Sequence, residues 1–183
     1  GNVSTCTSTV TVADVTAPVA VCQDVTIQLD ASGNATVTGA VINDGSSDAC
    51  GISTLTVLPN AFTCANVGAN AVVLTVTDVN GNNSTCNATV TVQDNVAPVA
   101  LCQNVSVILD VTGNGSTTPA LVDNGSSDAC GIASLALSQT AFDCTNVGAN
   151  SATLTVVDVN GNFIHEPIAF ADNQYVPVRI SIA

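Results

Sequence analysis

The sequence repeats itself with a period of 80 residues, which restricts the chain to a tandem array of small domains. Four cysteines recur 80 positions later, and whole phrases return with them: APVA at 17–20 and 97–100, GSSDACGI at 45–52 and 125–132, NVGAN at 66–70 and 146–150. Self-similarity at a fixed period is typical of repeat architectures. We therefore predict two repeats, 15–94 and 95–162, with a leading segment 1–14 and a tail 163–183.

Short, alternating apolar and polar segments make up each repeat, among them VTIQLD, ISTLTVLP and AVVLTVTDV. Val, Thr, Ile and Leu dominate these segments, and Gly and Asn separate them, which is typical of β-strands joined by tight turns. The Asn80-Gly81 pair is a strong hairpin signal because both residues tolerate a positive φ. Several strands in about 80 residues predict an all-β fold of tandem immunoglobulin-like sandwiches.

The two ends of the chain relate to the repeat differently. Residues 1–14 align with residues 81–94, so we interpret them as the last strand of a preceding repeat. The tail breaks the pattern, because Glu166 stands where the repeat places a cysteine, next to the single histidine, His165. The tail is either an atypical closing strand or the start of another domain.

The cysteines indicate a secreted, disulfide-stapled protein. Aromatic residues make up 3% of the chain, and Trp and Met are absent, so small side chains must fill the core. Such a core buries little apolar area per residue and needs covalent support. Eight cysteines at regular spacing, with no CxxC pair, favour disulfides in an oxidising compartment over a zinc site.

Spacing suggests a pairing of these cysteines but leaves alternatives. The shortest loops, of about 15 residues, would be closed by Cys50–Cys64 and Cys130–Cys144. Cys22–Cys86 follows if the first and last strands of a sandwich lie side by side. That map leaves Cys6 and Cys102 unpaired, or bonded between molecules that assemble head to tail by strand addition. The rival map joins neighbouring repeats through Cys6–Cys22 and Cys86–Cys102.

Charge excludes several classes of partner. The chain has one Lys+Arg against 14 Asp+Glu, for a formal net charge of -13. It lacks the basic surface that binds nucleic acid or anionic lipid. No apolar stretch reaches the roughly 20 residues of a membrane span. Catalysis is also unsupported, because His165 is the only histidine and HEP at 165–167 is not an HExxH motif. We therefore predict that the protein is not an enzyme and requires no cofactor.

Acidic residues that recur with the repeat suggest a calcium site. In an immunoglobulin-like unit the incoming linker, one loop and one hairpin would converge at the same pole, bringing carboxylate and amide oxygens together. Such oxygens are the ligands that Ca²⁺ prefers. The alternative is that Asp and Asn only cap their own turns. The candidate ligands are Asp14, Asp48, Asp78 and Asn80 at one junction and Asp94, Asp128, Asp158 and Asn160 at the next.

The phrases TAPVAVC, SSDACG and TVTDVNGNNSTC resemble hyalin-repeat (HYR-like) immunoglobulin-fold modules. In particular they are similar to the tandem arrays in giant cell-surface proteins of gliding Bacteroidota. The resemblance covers residues 1–162 and implies export by the type IX system, display on the cell surface, and a part in adhesion or gliding. Repeats of this family close with a cysteine-bearing last strand, which the second repeat here lacks.

Two functions follow from these observations. The first is structural, a stiff extracellular stalk or filament whose partners are neighbouring repeats of the same or identical chains. The alternative is a module that itself recognises a glycan or a protein. The sequence favours the first, because binding surfaces are enriched in Trp, Tyr and Arg, and the repeats contain none of these.

Overall fold

The computed structural model describes residues 1–164 and 179–182. His165, Glu166 and Pro167 lie outside the described residues. The chain divides into two compact units: one comprises Gly1–Ile27, Thr36–Phe62 and Gly68–Val92, and the other Gln28–Ala35, Thr63–Val67 and Gln93–Ala183. The described elements are almost all β-strands with two four-residue helices, so the prediction of an all-β protein is confirmed.

The first repeat contains six strands and one helical turn. They are β1 (Val25–Gln28), β2 (Asn34–Thr36), α1 (Gly39–Ile42), β3 (Ile52–Leu58), β4 (Ala61–Thr63), β5 (Gly68–Asp78) and β6 (Asn83–Gln93). The main sheet has the order β1-β6-β5-β3, and β2 pairs with β4. The last strand, β6, therefore lies beside the first, β1. A 3₁₀ turn, Cys64–Asn66, connects β4 to β5.

Alternation along β5 and β6 builds the core of the first unit. Every second residue at the centre of these strands is buried, because successive side chains of a strand point to opposite faces of the sheet. Val72, Leu74 and Val76 of β5 and Val90 and Val92 of β6 are almost completely buried. The core thus consists of small aliphatic side chains, with Phe62 and Ile42 as its largest members.

The second repeat contains the corresponding elements. They are β7 (Val105–Val107), β8 (Asn114–Ser116), α2 (Pro119–Val122), β9 (Ile132–Leu137), β10 (Ala141–Asp143), β11 (Ala149–Ser151), β12 (Leu154–Asp158), β13 (Phe163–Ile164) and β14 (Arg179–Ile182). A 3₁₀ turn, Cys144–Asn146, follows β10. The buried core here contains Val107, Val122, Phe142 and Ala152.

Two short strands take the place that β6 has in the first repeat. β13 pairs antiparallel with β12, with Val156 opposite Ile164. β14 lies between β11 and β7, antiparallel to the former and parallel to the latter. Part of the tail thus lies where the repeat places its closing strand.

The segment that precedes the first repeat has neither strand nor helix. Residues 1–13 are exposed, including Val10 and Val12, whose side chains are 82% and 92% accessible. We predicted residues 1–14 to be the last strand of a preceding repeat, and the structure shows this segment without a sheet.

Candidate functional site

Asp78 anchors the hairpin between β5 and β6. Its side chain is only 1% exposed. Oδ1 accepts hydrogen bonds from the backbone N–H groups of Asn80 and Asn82, both at 2.8 Å, and Oδ2 accepts one from Asn82 Nδ2 at 2.8 Å. Asp158 makes the same contacts with Asn160 and Asn162. Both acids therefore hold their own turns, as the capping interpretation predicts.

Burial raises the pKa of Asp78, but the hydrogen bonds from Asn82, Asn80 and Gly81 outweigh it and leave the pKa below its ordinary value. Hydrogen bonds to the charged form of a carboxylate favour that form. Asp78 is therefore ionised at neutral pH although it is buried.

Asn82, not Asn80, supplies the side chain that links hairpin and linker. Its Nδ2 also donates to the backbone oxygen of Asp14 at 3.2 Å, and Asn162 donates to that of Asp94 at 3.0 Å. The sequence analysis named Asn80 and Asn160, whose backbone N–H groups bind the aspartates. The signal for Asn82 and Asn162 was their recurrence in DVNGN, but spacing alone does not show which Asn turns inward.

Two of the predicted calcium ligands come together in each repeat. Carboxylate oxygens of Asp14 and Asp48 and the sulfur of Cys50 lie within 4.8 Å of one another, and Asp94, Asp128 and Cys130 form the equivalent group. Asp48 already accepts hydrogen bonds from the N–H groups of Cys50 and Gly51 through Oδ1. Neither Asp78 nor Asp158 belongs to these groups, because their oxygens are directed into the hairpins.

Asp94 has one carboxylate oxygen without a partner. The residue is 7% exposed, and Oδ1 accepts a hydrogen bond from the Val96 N–H at 3.1 Å. Oδ2 is buried and has no hydrogen-bond partner. Buried carboxylate oxygens are ordinarily satisfied, so an unpaired one beside a second carboxylate, that of Asp128, calls for a cation or a proton.

Two disulfides are formed. Cys22 is bonded to Cys86, with their Cα atoms 5.9 Å apart, which ties the start of the first repeat to its closing strand β6. Cys64 is bonded to Cys130 of the following repeat, with a Cα–Cα distance of 5.2 Å. The second bond therefore joins one sequence repeat to the next.

The predicted bonds Cys50–Cys64 and Cys130–Cys144 are not formed. Cys64 precedes the first residue of β5, whereas Cys50 precedes β3, whose first residue pairs with Asp78 at the far end of β5. An eleven-residue strand is about 33 Å long, and bonded cysteines need Cα atoms roughly 4.4–6.8 Å apart. Cys130 and Cys144 flank β9 and β11 in the same way.

Four cysteines of the described chain carry free thiols: Cys6, Cys50, Cys102 and Cys144. Asp14 raises the pKa of Cys50, by accepting a hydrogen bond from the thiol and by repelling the thiolate, and Asp48 adds to the repulsion. Burial raises the pKa of Cys102, with a contribution from Asp123. Because the thiolate is the reactive form, these two cysteines are slow nucleophiles at neutral pH.

No family model matches the chain, and no curated protein matches it. A solved structure with similarity is the surface glycan-binding protein SGBP-B of the Bacteroides ovatus mixed-linkage glucan utilization locus, in complex with a mixed-linkage heptasaccharide. The TM-score is 0.24 at 10% sequence identity, and the alignment covers 88% of this chain and 42% of the other. The chain therefore spans less than half of that protein.

The structure was also searched for membrane-spanning helices. Within residues 1–164 and 179–182, no helix is long and apolar enough to cross a bilayer.

Proposed function

We propose that the chain is a structural module of an extracellular, cell-surface stalk or filament, composed of immunoglobulin-like repeats, and that it is not an enzyme. The observation that carries this proposal is the Cys64–Cys130 bond, which joins consecutive repeats covalently in addition to the backbone. Disulfides persist in oxidising compartments outside the cell. The resemblance to hyalin repeats supports export by the type IX system and a part in adhesion or gliding.

The two bonds interlock, because Cys64 lies inside the loop that Cys22–Cys86 closes. Between Cys22 and Cys130 the backbone has 108 residue steps, but the path through both bridges uses only the 22 steps between Cys64 and Cys86. The bridges thus shield 86 steps from extension under force. A chain built this way stays short when its ends are pulled, as a stalk requires.

We expect chemical reduction to lengthen the stretched protein by about 300 Å, since an extended chain spans roughly 3.3–3.6 Å per residue. Single-molecule force spectroscopy of the chain, held by its two ends with and without a phosphine reductant, measures this difference. The Cys64→Ala/Cys130→Ala variant provides a control, because it should release part of that length without reductant. Equal lengths in the oxidised and reduced states would contradict the proposal.

Glycan recognition is the competing function. The described aromatic residues that belong to the repeats, Phe62 and Phe142, are buried in the core, so they present no ring on which a sugar could stack. A glycan array probed with the whole chain separates the two functions. Saturable binding of one glycan class would favour the recognition module.

We also propose that Ca²⁺ binds to Asp94 and Asp128, and to Asp14 and Asp48 in the first repeat. The unpaired, buried Oδ2 of Asp94 supports this proposal, as does the proximity of the two carboxylates. A cation there would offset the repulsion between them and satisfy the buried oxygen. The ligand set is two carboxylates per site, with water completing the coordination.

Calcium should raise the melting temperature, because a ligand that binds only the folded state stabilises it by mass action. The measurement is thermal unfolding in excess chelator and in millimolar calcium chloride, with calorimetric titration for stoichiometry. Asp94→Asn/Asp128→Asn should lose one site, while Asp44→Asn, at an exposed acid outside both groups, should lose none. An unchanged melting temperature together with no heat of binding would leave only the capping role.

A further inference from the structure

The four free thiols obey the same repeat as the two bonds. Shifting Cys22–Cys86 forward by 80 residues gives Cys102 a partner at position 166, where the sequence has Glu166. Shifting Cys64–Cys130 forward gives Cys144 a partner at position 210, and shifting it back leaves Cys50 as the acceptor of a bond from a preceding repeat. Each free thiol is thus one half of a bond that its repeat counterpart already makes.

A second copy of the chain, displaced by two repeats, completes both bonds at once. In that register Cys6 of the following copy falls at position 166, opposite Cys102, and its Cys50 falls at position 210, opposite Cys144. The sequence separations then equal the 64 and 66 residues of the existing bonds. One displacement therefore satisfies all four thiols.

The Cys144 and Cys50 thiols are already held as their bonded counterparts are. Cys144 Sγ lies 3.8 Å from the Gly113 oxygen, and Cys64 Sγ lies 3.8 Å from the Gly33 oxygen, each at the start of a 3₁₀ turn. The Cys50 N–H donates to Asp48 at 2.8 Å, as the Cys130 N–H donates to Asp128 at 2.7 Å. Bond formation therefore needs no rearrangement of either loop.

The leading segment matches the strand that the second repeat lacks. Residues 1–14 differ from residues 81–94 only at positions 3, 7, 8 and 13, so they share the pattern of β6. Val90 and Val92 of β6 are buried, whereas their counterparts Val10 and Val12 are exposed. The same segment that closes the first repeat is thus present a second time without a sheet to join.

The second repeat, in turn, is less completely covered than the first. Leu109 and Leu137 are partly exposed, while their counterparts Leu29 and Val57 are 4% and 5% exposed. β13 already fills the positions equivalent to 83 and 84, so the missing strand corresponds to residues 5–13. Entry of that strand would replace the four-residue β14, which lies at the same position between β11 and β7.

We propose that copies of this chain assemble head to tail by strand addition, with residues 5–13 of one copy closing the second repeat of the preceding copy, and with the intermolecular bonds Cys102–Cys6 and Cys144–Cys50. The added strand pairs with β11, β12 and β7 through backbone hydrogen bonds, buries Val10 and Val12, and places Cys6 opposite Leu154, as Cys86 lies opposite Leu74. This assembly deepens the stalk proposal, on which it rests, by naming the neighbour.

Each intermolecular bond requires a two-electron oxidant, for which a low-molecular-weight disulfide such as oxidised glutathione is sufficient. A protein thiolate attacks the glutathione disulfide, forms a mixed disulfide and expels one glutathione thiolate. The second protein thiolate then attacks the protein sulfur of the mixed disulfide and expels the other. Two protein thiols are oxidised, one glutathione disulfide is reduced, and both thiol protons end on glutathione.

Two complementary variants test the assembly. Cys6→Ser/Cys50→Ser retains only the thiols of the second repeat, and Cys102→Ser/Cys144→Ser retains only those at the leading end. After incubation with oxidised glutathione, an equimolar mixture should give at least about tenfold more disulfide-linked dimer than either variant alone, because strand entry brings both thiol pairs to a high effective concentration. Non-reducing peptide mapping should recover Cys6–Cys102 and Cys50–Cys144 peptides.

A matched pair of substitutions separates strand entry from random thiol contact. Val10→Asp, placed in the variant that retains Cys6 and Cys50, should abolish the Cys6–Cys102 peptide, because the counterpart of Val10 is fully buried. Thr9→Asp, at a position whose counterpart Thr89 is partly exposed, should preserve it. Equal dimer yields in the mixture and in each variant alone, or peptides of other pairings, would overturn the assembly. The force measurement on single monomers is independent of that result.

Discussion

Removal of the bond inside the first repeat by Cys22→Ala/Cys86→Ala is expected to lower the free energy of unfolding by about 4 kcal/mol in the chain-entropy model, given the loop of about 65 residues that it closes. The effect is large because the core is made of small side chains and contributes little apolar area per residue. Denaturant unfolding followed by circular dichroism measures it. The slope of the transition should stay unchanged if the folded state is the same.

Free cysteines provide the control for this substitution. Cys6→Ala and Cys144→Ala remove exposed sulfurs that close no loop in the monomer, so unfolding should change little. If the Cys22→Ala/Cys86→Ala variant unfolded at the same denaturant concentration as these controls, the bond would not stabilise the monomer.

Replacing Asp78 with alanine is expected to lower the melting temperature by about 5–10 °C. The substitution leaves the N–H groups of Asn80 and Asn82 without their acceptor at a position that is 1% exposed, and unmade buried hydrogen bonds are costly. Asp30→Ala is the matched control, since Asp30 accepts the same pair of bonds from Ser32 and Asn34 at an exposed turn. An equal loss in both variants would mean that burial contributes nothing.

The lowered pKa of Asp78 also gives this site a pH dependence. A carboxyl whose pKa is lower in the folded than in the unfolded state contributes stability fully above the unfolded value, near 3.9. That contribution is lost as pH falls through the lower, folded pKa. Wild-type protein should therefore lose more of its melting temperature on acidification below about pH 4 than Asp78→Asn does. Parallel pH profiles for the two proteins would contradict this expectation.

Periodicity made the strands predictable, whereas the path of the chain between the two ends of a strand was not. Alternation in AVVLTVTDV predicts β5, and Asn80-Gly81 predicts the turn that follows it. The short spacing of Cys50 and Cys64 predicted a bond, but it carries no information that β5 places them at opposite ends of a sheet. Cys64 instead meets a cysteine 66 residues away, which no local pattern shows.

The acidic residues were predictable only as a set. Recurrence identified Asp14, Asp48 and Asp78 together, because all three follow the 80-residue period. Their roles differ through side-chain direction: Asp78 turns into its hairpin, while Asp14 and Asp48 face each other. A rotamer choice of this kind depends on packing, so the sequence predicted the residues and the structure divided them between capping and the candidate cation site.

The interlocked bridges also determine what happens when the backbone is cut. Cys22, Cys64, Cys86 and Cys130 divide the chain into three successive segments, and the bridges connect the first cysteine to the third and the second to the fourth. A protease that cleaves any one of these segments leaves the protein in a single covalent piece. Cleavage in any two different segments still does so, and only a cut in all three separates the halves. A molecule exposed to extracellular proteases would thus keep its ends connected after damage that would sever an unbridged chain.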